Sequence, residues 1–140
     1  MTALTPYLFF GGRCEEALAF YRDAVGAEVE MLMRFDESPE PPPPGMLPAG
    51  FEKKVMHASV RIGGAPLMVA DGCEARINFE GFQLALTVPT EEAARKAFDG
   101  LAAGGKVTMP LTPTFWSPCF GMVADKFGVT WMVMVPGQAG

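Results

Sequence analysis

A single histidine, His57, is all the imidazole in this chain of 140 residues, so any histidine chemistry must run through it. Cysteine is nearly as scarce. Cys14, Cys73 and Cys119 are odd in number, widely spaced and form no CxxC pair, which points to reduced thiols in a cytoplasmic protein rather than a disulfide framework. Charge is low as well, at 19% charged residues and a net −5, with no Lys/Arg cluster and no basic helix face. Phosphate contacts need concentrated positive charge, so nucleic-acid binding is not expected. No apolar run approaches the roughly 20 residues of a membrane span. The amino-terminal run MTALTPYLFFGG lacks the charged start and cleavage site of a secretory signal, in keeping with the cytoplasm. A glycine-rich turn of the dinucleotide or methyl-donor kind is also missing. Gly11-Gly12-Arg13-Cys14 lacks the G-x-G spacing, and Gly63-Gly64 links two strands.

What the chain has in quantity is apolar bulk: 49% of residues, with ten methionines and eleven phenylalanines. Such side chains adapt to irregular space, so they suit either a generous core or a ligand cavity. The length fits one domain spanning residues 1–140, able to bury about two-thirds of its unfolded surface.

Hydrophobic spacing divides the chain into alternating elements. Leu4 to Phe10 reads as a strand ended by Gly11-Gly12. Arg13 to Val25 places Ala17, Leu18, Phe20, Tyr21, Ala24 and Val25 at helical spacing, with Glu15 and Glu16 in the first turn and Gly26 at the end. Ala27 to Phe35 alternates, setting Val29, Met31, Met33 and Phe35 on one face. Residues 38–50, SPEPPPPGMLPAG, form a loop, because prolines remove donors and fix φ. Val55 to Ile62 is a strand with His57, Ser59 and Arg61 opposite Val60 and Ile62. Gly63-Gly64 turns it into Leu67 to Ala70. Phe82 to Val88 is the next strand, Thr90 to Ala103 a helix capped by Thr90, and Lys106 to Leu111 a strand. A hairpin closes the chain: Cys119 to Ala124, a turn at Asp125-Lys126-Phe127-Gly128, then Val129 to Val135, which is apolar enough to be covered on both faces.

The order strand, helix, three strands occurs twice, over about residues 1–72 and 80–136. Glu15-Glu16-Ala17 aligns with Glu91-Glu92-Ala93, and Gly64 aligns with Gly128. Two βαβββ modules in tandem, forming curved mixed sheets, give an α+β fold.

That order resembles the vicinal oxygen chelate, or glyoxalase/bleomycin-resistance, superfamily. It is closest to the PhnB-like branch, which also carries the label 3-demethylubiquinone-9 3-methyltransferase-like. The resemblance rests on CEEALAFY at Cys14 to Tyr21, MHASVRIGGAPLMVAD at Met56 to Asp71, GGKVTMPL at Gly104 to Leu111, and TFWSPCFGMVADKFGVTWM at Thr114 to Met132. It implies a homodimer. It also implies four superfamily ligand positions, carried through the repeat to Tyr7 and Gln83 on the first strands and to Met68 and Met132 on the last. Where the glyoxalase pattern has a chelating glutamate, this chain has Met132. Thioethers suit copper(I) rather than hard divalent cations, so no metal and no other cofactor is expected at that site.

The expected function is then binding of a small, largely apolar or aromatic ligand without a metal, with Tyr7, Gln83, Met68, Trp116, Phe120 and Met132 as ligand-binding residues. His57 is the one candidate general base or ligand hydrogen-bonder, against the alternative of a histidine satisfied within its strand. A second reading is a metal-dependent lyase or dioxygenase with a relocated site at His57, Gln83 and Asp71. A third, a methyltransferase-like enzyme, lacks its glycine-rich turn. Cys14 sits near a helix start, where a thiolate is stabilised, but nothing is available to activate it. Trp116 is balanced between ligand wall and packing; Trp131 and Cys119 read as core.

Overall fold

The computed structural model describes residues 2–40 and 42–137; Pro41 of the expected Pro-rich loop lies outside them. The chain divides into two compact units with the break between Ile77 and Asn78, and residues Asp23–Val25 group with the second. The first unit holds β1 (Tyr7–Phe9), α1 (Cys14–Val25), β2 (Glu28–Arg34), β3 (Val55–Ile62) and β4 (Ala65–Ala70). The second holds β5 (Leu84–Thr87), α2 (Glu91–Ala102), β6 (Lys106–Thr112), β7 (Phe120–Ala124) and β8 (Thr130–Met134). The sheets run β1-β4-β3-β2 and β5-β8-β7-β6. In each, the first strand lies parallel to the last and the other pairs are antiparallel. Two βαβββ modules in an α+β fold are what the repeated element order predicts.

Local chemistry explains the boundaries. Gly63 and Gly64 both have positive φ, 59° and 81°, so the two-residue turn between β3 and β4 twists with its strands. Thr90 caps α2 by accepting from the Ala93 amide at 3.1 Å. Helix α1 ends at left-handed Gly26, whose amide reaches the Arg22 carbonyl while Ala27 reaches that of Tyr21. The start of α1 has no side-chain cap of its own. Asp71, from the far end of β4, supplies it: one carboxylate oxygen accepts from the amides of Gly12 and Cys14, each at 2.8 Å. Its other oxygen accepts from the Val55 amide at 2.7 Å, which ties in the start of β3. Asp71 is 1% exposed, so these bonds satisfy a carboxylate that burial would otherwise penalise.

Several expectations are corrected. Strand β1 is three residues long, because Pro6 cannot donate to the ladder and Leu4 stands in the open. The alternation over β2 breaks at a bulge between Val29 and Met31: Val29 pairs with Val60 of the buried face, whereas Met31 pairs with Ser59 on the other. One extra residue therefore sends the two side chains to opposite faces. Strand β8 is not covered on both faces within this chain. Val129, Trp131, Val133 and Val135 are buried, while Thr130, Met132 and Met134 are half-buried.

Helix α2 lies across β6, β7 and β8. Gly121 of β7 makes that approach possible, since a Cβ there would meet the Phe98 ring at 2.9 Å and the Leu111 side chain at 3.0 Å. Trp131 is core, as expected, and its indole N–H donates to Asp125 at 2.9 Å. The other Asp125 oxygen accepts from the amides of Phe127 and Val129, bracing the hairpin turn. Cys119 is buried. Cys14 is fully buried too, and burial, followed by the charges of Asp71 and Glu15, pushes its thiol well above the ordinary range. Burial thus overrides the helix-start effect, and the thiol is inert.

Three outcomes follow. Asp71→Ala leaves three amides, two of them buried, without an acceptor and is expected to cost about 3 kcal/mol or more in urea denaturation, with Asp71→Asn costing less. Gly121→Ala overpacks the Phe98 contact and should cost about 1–3 kcal/mol by the same measurement. Because the folded Cys14 thiol titrates above the unfolded one, its contribution to stability is complete below the unfolded pKa, about 8.5, and is lost as pH rises beyond it. Denaturation midpoints should fall above pH 9, with a shallower fall in Cys14→Ala.

Candidate functional site

In the first unit, the face of the sheet opposite Leu8, Ala58, Val60 and Val69 carries the predicted residues. Across it the ladder sets Tyr7 beside Met68, Met68 beside Ser59, and Ser59 beside Met31. One step along, Met33 is paired with His57. The Tyr7 hydroxyl lies 2.9 Å from His57 Nδ1, a hydrogen bond between residues 50 apart in the sequence. Phe9 stacks on the Tyr7 ring at 4.8 Å and an interplanar angle of 22°. Tyr7 and Phe9 are 39% and 51% exposed and Met31 is 44% exposed, so this apolar face is open in the chain itself. Burial raises the Tyr7 phenol above its ordinary value, so it stays protonated as a donor or acceptor.

The tyrosine–histidine bond has two forms. With Tyr O–H donating to Nδ1, the ring carries its proton on Nε2 and presents a donor. With Nδ1–H donating to the phenol oxygen, Nε2 is an acceptor and the hydroxyl proton is free to bond elsewhere. A polar group on a bound molecule is served either way. Arg61, at the far end of β3, is occupied by Glu30 at 3.2 Å and by the Gly64 carbonyl at 2.9 Å.

In the second unit the matching row is Ala85, Met132, Met122 and Met109. Met132 stands where Met68 stands, and the counterpart of Tyr7 in the ladder is Ala85, two residues beyond Gln83. Gln83 instead opens on a shallow recess with Phe79, Phe82, Gly128 and Thr130. Trp116 lines a different recess with Thr114, Phe115, Pro118 and Gly137. Its loop is firmly built. The Thr114 hydroxyl oxygen accepts from the Ser117 amide at 3.0 Å, and buried Ser117 lies against the carbonyls of Cys119 and Val135 at 2.8 and 2.5 Å. Trp116, 47% exposed, meets the buried Phe120 edge-on at 5.3 Å.

The structure therefore joins Tyr7, His57 and Met68 on one face, and Trp116 with Phe120, but sets Gln83 and Trp116 in separate recesses. Asp71 serves as a backbone clamp with both carboxylate oxygens engaged. Among the described residues no group of three or more His, Cys, Asp or Glu side chains is placed to hold a metal ion. Phe9, Met31 and Met33 were not singled out from the sequence. The alternation of β2 pointed to both methionines, but only the bulge decides which face they join.

Comparison with known proteins agrees with this architecture. Residues 3–133 match the model of the Glyoxalase/Bleomycin resistance protein/Dioxygenase superfamily. Protein YjdN of Escherichia coli (strain K12) is 38% identical over 141 residues, covering 96% of each chain. A Pseudomonas aeruginosa protein of known crystal structure is 38% identical, with a TM-score of 0.83 over 97% of this chain and 98% of that one. The PhnB protein of Bacillus cereus, which bears a 3-demethylubiquinone-9 3-methyltransferase name, is 30% identical with a TM-score of 0.78, over 96% and 99%. The fold, the repeated strand order and these matches lead to one conclusion: the chain belongs to the glyoxalase/bleomycin-resistance superfamily, on its PhnB-like branch.

Proposed function

We propose that the chain binds a small, largely apolar or aromatic molecule on the open sheet face around Tyr7 and His57, without a divalent metal. The observation that carries this reading is the Tyr7–His57 hydrogen bond, set among Phe9, Met31, Met33 and Met68. A half-exposed aromatic and thioether surface favours flat or irregular apolar ligands, and the one polar pair fixes their orientation. Metal independence is supported by the donor set. Met68 and Met132 occupy the last-strand positions, and a hard cation takes oxygen or imidazole ligands instead. A relocated metal at His57, Gln83 and Asp71 finds little support, since the Asp71 carboxylate is 1% exposed and already accepts from three backbone amides.

A methyl-donor role finds little support at the Gly11-Gly12 turn. A Cβ on Gly11 would lie 2.8 Å from the Arg76 backbone, and the Gly12 amide is bonded to Asp71, so neither is open to a cofactor. A homodimer is part of the same reading, supported by the large apolar side chains left exposed, among them Phe9, Phe115 and Trp116. No helix among the described residues is long and apolar enough to cross a membrane.

A panel of aromatic and apolar compounds, screened by calorimetry on chelator-treated protein, should yield ligands whose affinity falls about fivefold or more in Tyr7→Phe and in His57→Ala. That is the loss of roughly 1 kcal/mol of hydrogen bonding. Quenching of Trp116, read against Trp116→Phe, reports any occupancy of the second unit. Affinity that appears only when a divalent metal is restored, or that ignores both substitutions, would overturn the reading. Sedimentation equilibrium is expected to give twice the chain mass, and a monomer at about 100 μM would rule out the dimer.

A further inference from the structure

The site proposed around Tyr7 and His57 uses none of the methionines on the second sheet. We infer that Met109, Met122 and Met132 form a binding site for a soft monovalent metal ion, copper(I) or silver(I). Met122 is the register partner of both Met109 and Met132, so three thioether side chains leave adjacent strands on the same face. Directly paired residues stand about 5 Å apart, and a methionine side chain is long and flexible enough to close that gap. Met134, two residues beyond Met132 on β8, lies on the same face as a fourth donor.

Accessibility agrees. Met122, Met132 and Met134 are half-buried, and Met109 is 37% exposed, so an ion can enter without unfolding the sheet. The face opposite is closed by Trp131, Val133 and Val123 and, at Gly121, by the Phe98 ring, which fixes the methionines on the open side. Lys106 is the only charged residue in the four strands, and none of them carries a carboxylate, imidazole or thiol. Besides the thioethers this face carries Lys106 and the hydroxyls of Thr87, Thr112 and Thr130, which are weak ligands for zinc, magnesium or calcium, while neutral thioether sulfur suits a soft ion. Placement matters as much as number. The equivalent row in the first unit has Ser59 where the second has Met122, so its two methionines, Met31 and Met68, are separated by a hydroxyl. The bulge at Thr108 is what brings Met109 to this row, since Val107 pairs with Val123 of the buried face.

The inference stands apart from organic-ligand binding, which is measured in metal-free buffer. Its test is titration with silver(I) nitrate in a Cys73→Ser background, because exposed Cys73 would compete as a thiol while Cys14 and Cys119 are buried. One silver ion per chain is expected, with affinity falling at least tenfold in Met122→Leu and in Met132→Leu and unchanged in Met46→Leu. Thioethers have no proton to lose, so affinity should be level between pH 6 and 8, unlike a histidine or cysteine site. In methionine-methyl NMR spectra of the unsubstituted methionine row, the signals of Met109, Met122 and Met132 should shift together on adding silver and remain still on adding zinc. Absence of saturable uptake, uptake that survives both leucine variants, or methyl shifts confined to other methionines would overturn it.

Discussion

The first unit depends on one buried carboxylate. Asp71 holds the turn after β1, the start of α1 and the start of β3 with three short bonds. Helix starts ordinarily obtain an acceptor from a neighbouring serine, threonine or aspartate. Here the acceptor comes from 57 residues away, so the helix start is satisfied only when β4 is in place. The same carboxylate reaches β3, on which His57 lies, and the turn that follows Tyr7. Correct placement of the polar pair on the open face is thus a consequence of where a residue on no ligand surface finds its partners.

The two units repeat one plan down to its irregularities. In each, a bulge falls inside a Val-x-Met sequence of the second strand, at Val29 to Met31 and at Val107 to Met109. In each, that bulge sets the valine in register with a buried valine, Val60 or Val123, and the methionine in register with the opposite face. Against this shared frame the differences are few and chemical. Tyr7 corresponds to Ala85 in the repeat, and Ser59 corresponds to Met122. The first unit has a tyrosine–histidine hydrogen bond at the centre of its open face, and the second has a row of methionines there, so repetition of the scaffold has not meant repetition of the surface.

The sequence made most of the fold legible, because helices and hairpins announce themselves locally. The stripe of Ala17, Leu18 and Tyr21, the Thr90 cap, Gly63-Gly64 and the Asp125 to Gly128 turn all act within a few residues of where they are read. The bulges were not legible, since one extra residue in a strand leaves no compositional mark yet inverts every face beyond it. The site was legible in part. Strand parity placed His57 with Ser59, and the superfamily pattern drew attention to Tyr7, but nothing local joins residues 50 apart. Asp71 read as a ligand of a relocated metal, because its amide partners are distant in the chain. Cys14 read as a helix-start thiol because burial is a tertiary property.

The parallel pairing of β1 with β4 has a consequence for how the surface is assembled. Strand β1 is three residues long and lies at the sheet edge, with its only ladder partner about 60 positions later in the chain. It can dock only after the β3–β4 hairpin exists, so it belongs among the late, non-local steps of folding. A short edge strand is also among the first parts of a sheet to open transiently in the native state. Tyr7 rides on that strand, whereas His57 rides on one paired on both sides. The polar pair therefore joins the last piece to arrive with one of the most securely held. Its loosening would uncouple the phenol from the imidazole while the rest of the sheet stayed intact.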